Sequence, residues 1–379
     1  MSAAWAASRA ALAGRALVAR HCARRDVRAR ALSSATASTS GRDDAQKHES
    51  SVSASASSVT PLRVYHADWA EVKLPEGHRF PMDKYKATRL ALESDASLAG
   101  KMEIIASPEA PLDDILAVHE EGYVRRVLDC ALTEKETRAI GFPMQRANVV
   151  RSLASTGGTL AAMHDVMRDG SPHLAAAQIA GGTHHAFADR GEGFCVFNDQ
   201  AVAAVKALRC YPERLAGTPT PVLIIDLDVH QGNGTAKIFE DDPRVVTFSA
   251  HGAGNYPWKT KMRSTHDLDL PDDTDDDAYN AHMAEWLPFL FDAYDPRLVF
   301  FQAGVDALRE DSFGRLAMTR AGLLRRNHAV YDQCVARDVP LVITMGGGYS
   351  RPWDASVAAH ADVFRSAAYR FASPRVPRR

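Results

Sequence analysis

The segment LIIDLDVHQGNG, residues 223–234, runs from an apolar stretch into Asp226, Asp228 and His230 and then into a glycine-rich turn. Two carboxylates and an imidazole at alternate positions offer oxygen and nitrogen donors to a divalent cation. Alternate residues of an extended segment project to the same side, so Asp228 and His230 can act on one ion. Asp306, at the end of FFQAGVD, is a candidate third donor. An Asp2His set with one position left for water would match the pattern of a catalytic zinc site, which typically keeps three protein ligands and one open position. Taken one motif at a time, other readings stand beside this one. A buried strand ends in polar residues wherever it meets solvent, and a lone Asp306 could be a hydrogen-bonded cap.

GGTHHA supplies two adjacent histidines, His184 and His185. An imidazole titrates near neutrality, which suits a general base that later serves as the acid. Adjacent histidines with a purely structural role fit the same residues. Tyr349 follows three glycines, where a phenol can donate a hydrogen bond to a developing oxyanion or simply pack.

The elements that must position these residues alternate. Residues 86–106, 112–136, 146–169, 198–209, 277–293 and 319–336 show helical spacing or composition. Between and after them lie short apolar runs at 174–180, 222–227, 244–249, 297–303 and 340–345. Strands alternating with helices predict an α/β fold with a central parallel sheet flanked by helices on both faces. Each run leads into one candidate loop: GGTHHA, DLDVHQGNG, SAHGAGNYP, AGVDAL or GGGYSRP. Parallel strands end on one edge, so these loops converge where open α/β sheets bind ligands.

Composition excludes several function classes. Residues 1–42 hold eight Arg and one acid, a charge of +7, which leaves −9 on the remainder of a chain with a formal net charge of −2. So acidic a body is a poor nucleic-acid binder. The cysteines Cys22, Cys130, Cys195, Cys210 and Cys334 form no CxxC pair, which argues against a disulfide scaffold and suits a reducing compartment. No apolar run approaches the roughly 20 residues that span a bilayer. Residues 1–32 are rich in Ala and Arg, with Trp5, Leu12 and Leu17 opposite an arginine face, as in an organelle transit peptide. A mitochondrial destination is expected, with a plastid, or the cytoplasm or nucleus if this segment is no transit peptide, as alternatives. Residues 33–60 are a low-complexity linker, and the folded domain is expected over 61–379.

Five ordered motifs, GGTHHAFADRGEGFCVFND, IIDLDVHQGNGTAKIF, TFSAHGAGNYP, FQAGVDAL and GGGYS, resemble the zinc-dependent histone deacetylases. The likeness spans about residues 62–370 and is greatest to the class IV branch and its bacterial relatives, through HQGNG, Asn-Tyr-Pro and GHRFPM. The resemblance implies a single-domain arginase/deacetylase fold and hydrolysis of an acyl-lysine amide. It places zinc, with ferrous iron as an alternative, on Asp228, His230 and Asp306. It makes His185 the base and then the acid, His184 its electrostatic assistant, Asp226 the partner of His184, and Tyr349 the oxyanion donor. It also implies a structural potassium ion on Asp226, Asp228, His230, Ser249 and Ala250. Gly193, Phe194 and Tyr256 would line the lysine channel, and Arg79 an exit path for the acid. One position departs from many relatives: neutral Asn233 stands where an Asp backs the second histidine, so His185 should stay neutral to lower pH.

Rival readings remain distinguishable. Arginase-type hydrolysis with two manganese ions needs a further carboxylate where Gly232 and Asn233 stand. Deacetylation of acetylated polyamines, or non-catalytic reading of acyl-lysine, stays open. The sequence leaves the oligomeric state undetermined.

Overall fold

The computed structural model describes residues 59–372. Its centre is one eight-stranded sheet in the order β2-β1-β3-β8-β7-β4-β5-β6, every neighbouring pair parallel. The strands are β1 Leu62–His66, β2 Met102–Ala106, β3 Ala175–Ile179, β4 Val222–Asp226, β5 Val245–Gly252, β6 His266–Leu270, β7 Leu298–Gln302 and β8 Leu341–Thr344. The described helices are α1 Lys84–Glu93, α2 Leu112–Ile115, α3 Glu121–Leu128, α4 Glu134–Ile140, α5 Arg146–Met167, α6 Asp199–Cys210, α7 Asn233–Ile238, α8 Asp276–Tyr294, α9 Arg320–Arg337 and α10 Asp354–Phe371.

Every residue of β3, β4, β7 and β8 is buried, as strands covered on both faces must be. Alternation along each strand then divides the core in two. Leu223, Ile225, Val299, Phe301 and Ile343 face one side, with Met283, Leu287, Val330 and Phe364 of α8, α9 and α10. Val222, Ile224, Leu298, Phe300 and Val342 face the other, with Tyr123, Leu160, Met163 and Val202 of α3, α5 and α6. Helices thus cover both faces, as the alternating pattern predicts.

Four of the expected helices stand close to where spacing puts them, as α5, α6, α8 and α9. The first two do not. The stretch 86–106 is α-helix only to Glu93, followed by a single 3-10 turn at Ala96–Leu98; Gly100 then turns the chain at φ +72° and Met102–Ala106 becomes strand β2. The stretch 112–136 breaks into α2, α3 and the start of α4, with Cys130 at φ 53° in the second break. Strand β6 escapes notice because HDLDL alternates acids on a partly exposed edge. The five apolar runs all form strands, and β5 continues past the expected end to Gly252. The expected transit peptide lies outside the described residues, as does the linker up to residue 58. Among the described residues, no helix is long and apolar enough to cross a membrane.

The chain runs from β3 past the places of β8 and β7 to β4, and fills those two places last. The loops after β3, β4, β7 and β8 therefore leave adjacent carboxyl ends, where the strand order reverses.

Candidate active site

The loop after β4 is built by its own polar groups. The sheet ends at Asp226, so Asp228 and His230 are set by a turn and not by the strand pleat that the sequence suggests. The Asp228 amide donates to Asp226 Oδ1 (3.2 Å), and the His230 amide to Asp228 Oδ1 (3.0 Å). Asp306, in the loop after β7, accepts from the Val229 amide at 2.9 Å, and Asp228 accepts from the Gly347 amide at 2.8 Å. From α9, the fully buried Arg326 donates to the carbonyls of Leu227 (3.1 Å), Gly304 (2.6 Å) and Ala303 (3.3 Å). One guanidinium thus ties the β4 and β7 loops together.

The ligand atoms of Asp228, His230 and Asp306 all lie within 4.8 Å of one another, and all three residues are buried. His230 Nδ1 is 3.0 Å from Asp228 Oδ1 and 3.1 Å from Asp306 Oδ2. Burial alone would lower the His230 pKa, but hydrogen bonds to the two carboxylates outweigh it and raise it to about 10. Burial and the Asp228 charge raise Asp306 to about 7. Two buried carboxylates facing one imidazole carry more negative charge than they neutralise, the signature of a place for a cation. Backbone is cleared for it. A Cβ on Gly347 would stand 2.0 Å from Asp306 Oδ2, and one on Gly304 would stand 2.3 Å from Asp228 Oδ2. The donor set fits a metal ion.

His184 and His185 follow β3 after Gly181 and Gly182, both at positive φ. Buried Asp199 holds this loop, accepting from the amides of Gly182 (3.1 Å) and Thr183 (2.8 Å). The two imidazole rings lie 4.1 Å apart. His184 Nδ1 is 2.6 Å from Asp226 Oδ2, and His185 Nδ1 is 2.7 Å from Asn233 Oδ1. Burial opposes charge on His184, yet the carboxylates of Asp226 and Asp228 raise it to about 9. For His185, burial and the charges of His184 and His230 all act downward and hold it well below the ordinary imidazole value. The two neighbouring imidazoles are thus pushed in opposite directions.

Tyr349 sits over the trio, its ring 6.5 Å from that of His230, and its amide donates to Asp311 Oδ2 (2.6 Å). Burial and the carboxylates of Asp228 and Asp306 raise its phenol well above the usual range, so it remains a donor. Fully buried Lys84 donates to Gly348 O at 3.1 Å, with its ammonium 4.7 Å from the Tyr349 ring centroid. Phe194 lies 6.0 Å from Tyr349, and Tyr256 lies 5.0 Å from His185. Gly193 is required where it is: at φ +54° a Cβ would come within 2.6 Å of His185 Cδ2.

A model of the histone deacetylase domain matches residues 78–364, most of the chain. The chain belongs to the histone deacetylase family. Histone deacetylase 2 of Arabidopsis thaliana is 31% identical to this deacetylase over 283 residues, 72% of this chain and 70% of that protein. An uncharacterized protein of Picosynechococcus sp. is 41% identical over 305 residues, 80% of this chain and 97% of that protein. The crystal structure of a histone deacetylase homologue from Aquifex aeolicus superposes with a TM-score of 0.67 at 21% identity, covering 82% of this chain and 84% of that one, and shares the fold. The family's chemistry is deacetylation, and its members' catalytic metal has a fitting donor trio in this deacetylase.

Asp226, Asp228, His230, Asp306, His184, His185 and Tyr349 come together at this one place. Asp226 and Ser249, expected around potassium together with Ala250, are opposite one another in the β4–β5 register. Arg79 lies outside the trio, its guanidinium 5.5 Å from the Phe313 ring centroid beside a groove that reaches Tyr349. A cavity of about 60 Å³ between Phe80, Tyr85, Phe194 and Gly181 is lined by the buried cation Arg151, which the sequence does not single out. Lys84 and Arg326 are likewise given no role by the sequence, and neither are Glu192 and Asp199, which lie inside the motif GGTHHAFADRGEGFCVFND. A charged residue inside an apolar helical face could have signalled Lys84 or Arg326, and membership of the histidine motif could have signalled Glu192 and Asp199.

Proposed function

We propose that this deacetylase hydrolyses the amide of an acylated lysine side chain through Asp228, His230, Asp306, His184, His185 and Tyr349. The observation that carries the reading is geometric: adjacent His184 and His185, with rings 4.1 Å apart, are backed by different partners, Asp226 and Asn233, beside the three-donor trio. Such a divergence separates acid and base roles within one site. Neutral His185 takes a proton from the attacking water and returns it to the lysine nitrogen as the C–N bond breaks. Cationic His184, anchored by Asp226, supplies fixed positive charge where the oxyanion grows. The Tyr349 phenol donates a hydrogen bond to that oxyanion. Zinc, or ferrous iron, held by Asp228, His230 and Asp306 would polarise the carbonyl and acidify the attacking water. Phe194 and Tyr256 flank the lysine stem. Paired Asp226 and Ser249, with the carbonyls of Asp228, His230 and Ala250, hold a potassium ion in this reading, tested by a melting temperature that rises with potassium. Arg79 lines the way out for the acid.

The deciding experiment incubates zinc-loaded protein with acetyl-, succinyl- and myristoyl-lysine peptides and with acetylated polyamine. Chelator-sensitive release from peptides that is lost in His185→Ala supports the reading. Release from polyamine alone replaces the substrate, and binding without any release makes the chain a reader. Residues 1–32 are proposed as a mitochondrial targeting segment, tested by fusing them to a fluorescent reporter.

A further inference from the structure

Behind His185 stands an acid that the proposed mechanism does not use. The carboxylate of Glu192 is nearly buried, and its Oε1 accepts from Asn233 Nδ2 (3.0 Å), the Tyr256 hydroxyl (2.6 Å) and Thr260 Oγ1 (2.9 Å). Its other oxygen lies 4.0 Å from Arg190 Nε. The backbone of Glu192 is equally fixed. Its amide donates to Cys195 O (3.1 Å) and its carbonyl accepts from the Cys195 amide (2.9 Å), across a turn with Gly193 at φ 54° and Phe194 at φ 66°. Two successive positive φ values make a type I′ turn, whose geometry leaves little freedom. The turn that brings Phe194 to the channel therefore also fixes Glu192.

The consequence falls on Asn233. Its Nδ2 is surrounded by acceptors, the Glu192 carboxylate and the Thr260 carbonyl at 3.1 Å. A backbone carbonyl can only accept, and Glu192 Oε1 already accepts from the hydroxyls of Tyr256 and Thr260. A flipped amide would set Oδ1 against Glu192 Oε1, oxygen against oxygen, so the amide has one orientation. Oδ1 then faces His185 Nδ1 at 2.7 Å, and that nitrogen must carry the hydrogen. His185 Nε2 is left without a hydrogen, as a base requires.

We propose that Glu192 is a positioning residue that orients the Asn233 amide, selects the Nδ1–H tautomer of His185 and ties the Tyr256 wall of the channel to the catalytic base. Glu192 and Asn233 act as one unit, an acid placed one residue farther from the imidazole and relayed through a neutral amide. This rests on the acyl-lysine reading for its rate measurements but not for its tautomer measurement.

The pair makes a reciprocal test possible in the zinc-loaded full chain. Asn233→Asp sets two carboxylates about 3 Å apart and should lower kcat about 10–100-fold, the range for groups that orient a ligating or catalytic side chain. Adding Glu192→Gln, whose amide can donate to the new carboxylate, should restore most of that loss. Glu192→Leu should lower kcat more than KM rises, and more than Tyr256→Phe does, because Tyr256→Phe leaves the bond to Asn233 in place. Nitrogen-15 shifts of His185 should show one Nδ1–H tautomer in the wild type and in Tyr256→Phe, and a mixture in Glu192→Leu. Asn233→Asp at wild-type rate, no recovery on adding Glu192→Gln, or an unchanged tautomer in Glu192→Leu would each overturn the proposal. A wild type that releases no acyl group would end the substrate reading alone, while the tautomer shifts would still decide the role of Glu192.

Discussion

At the scale of single residues, the site separates groups by the sign of their surroundings. Tyr349 keeps its proton because burial and the Asp228 and Asp306 carboxylates disfavour the phenolate, so it contributes only a hydrogen bond. Tyr349→Phe should therefore lower kcat about 10²–10³-fold in single-turnover peptide hydrolysis, while KM moves little. An equal loss in KM would show that the phenol holds ground-state substrate instead. Lys84 gives a prediction in pH. Burial pushes its ammonium down from 10.5 to about 8, against the partial restoring pull of Asp306, Asp311 and Asp228. Below pH 8 the lysine is charged folded or unfolded, and the folded state bears the desolvation. Between about 8 and 10.5 the unfolded chain binds more protons, so wild-type stability rises with pH across that window. Relative to Lys84→Met, denaturant unfolding should show wild type gaining about 3 kcal/mol from pH 7.5 to 10.5. A constant difference between the two proteins would place Lys84 among ordinary lysines.

At the scale of elements, convergence depends on groups that lie far from the site in sequence. Arg326 belongs to α9 yet holds the carbonyls of Leu227, Ala303 and Gly304 at the ends of β4 and β7. Removing it strands three buried carbonyls and empties a large buried volume. Arg326→Leu should destabilise by at least about 3 kcal/mol in urea unfolding and should loosen metal binding by Asp228 and Asp306. Loss of stability with unchanged metal affinity would confine Arg326 to the core. The β3 loop depends similarly on Asp199, whose carboxylate gathers the amides of Gly182 and Thr183. The five strands that carry the candidate loops were legible as apolar runs because strands covered on both faces need nothing but burial. Strand β2 was not legible. MEIIAS reads equally well as the end of a helix, and only pairing with β1 makes it a strand. Strand β6 pairs on one side alone, and its alternating acids carry no apolar signal.

At the scale of the whole molecule, metal and fold are coupled. Asp228 and Asp306 repel across the trio, and a bound cation replaces the proton that His230 otherwise supplies. Chelation should lower the melting temperature, and titrating zinc to about 100 times its Kd should restore about 2.7 kcal/mol. Asp306→Asn should be more stable than wild type without metal and gain far less from zinc; a variant that responds to zinc like wild type would remove Asp306 from the donor set. The sequence by itself determined the α/β class, the five motif loops and the chemical identity of the groups. A parallel sheet must deliver the loops after its strands to one edge, and those loops held the Asp, His and Tyr residues. Only the tertiary structure decided which groups act on which. It showed that Asp228 and His230 are aligned by a turn and not by a strand, that one histidine is backed by a carboxylate and its neighbour by a neutral amide, and that Glu192, Lys84 and Arg326 stand behind the groups that act. The physical reason is that hydrogen-bond partners and burial are properties of neighbours in space. Glu192 and Asn233 are 41 residues apart along the chain and 3.0 Å apart in the fold.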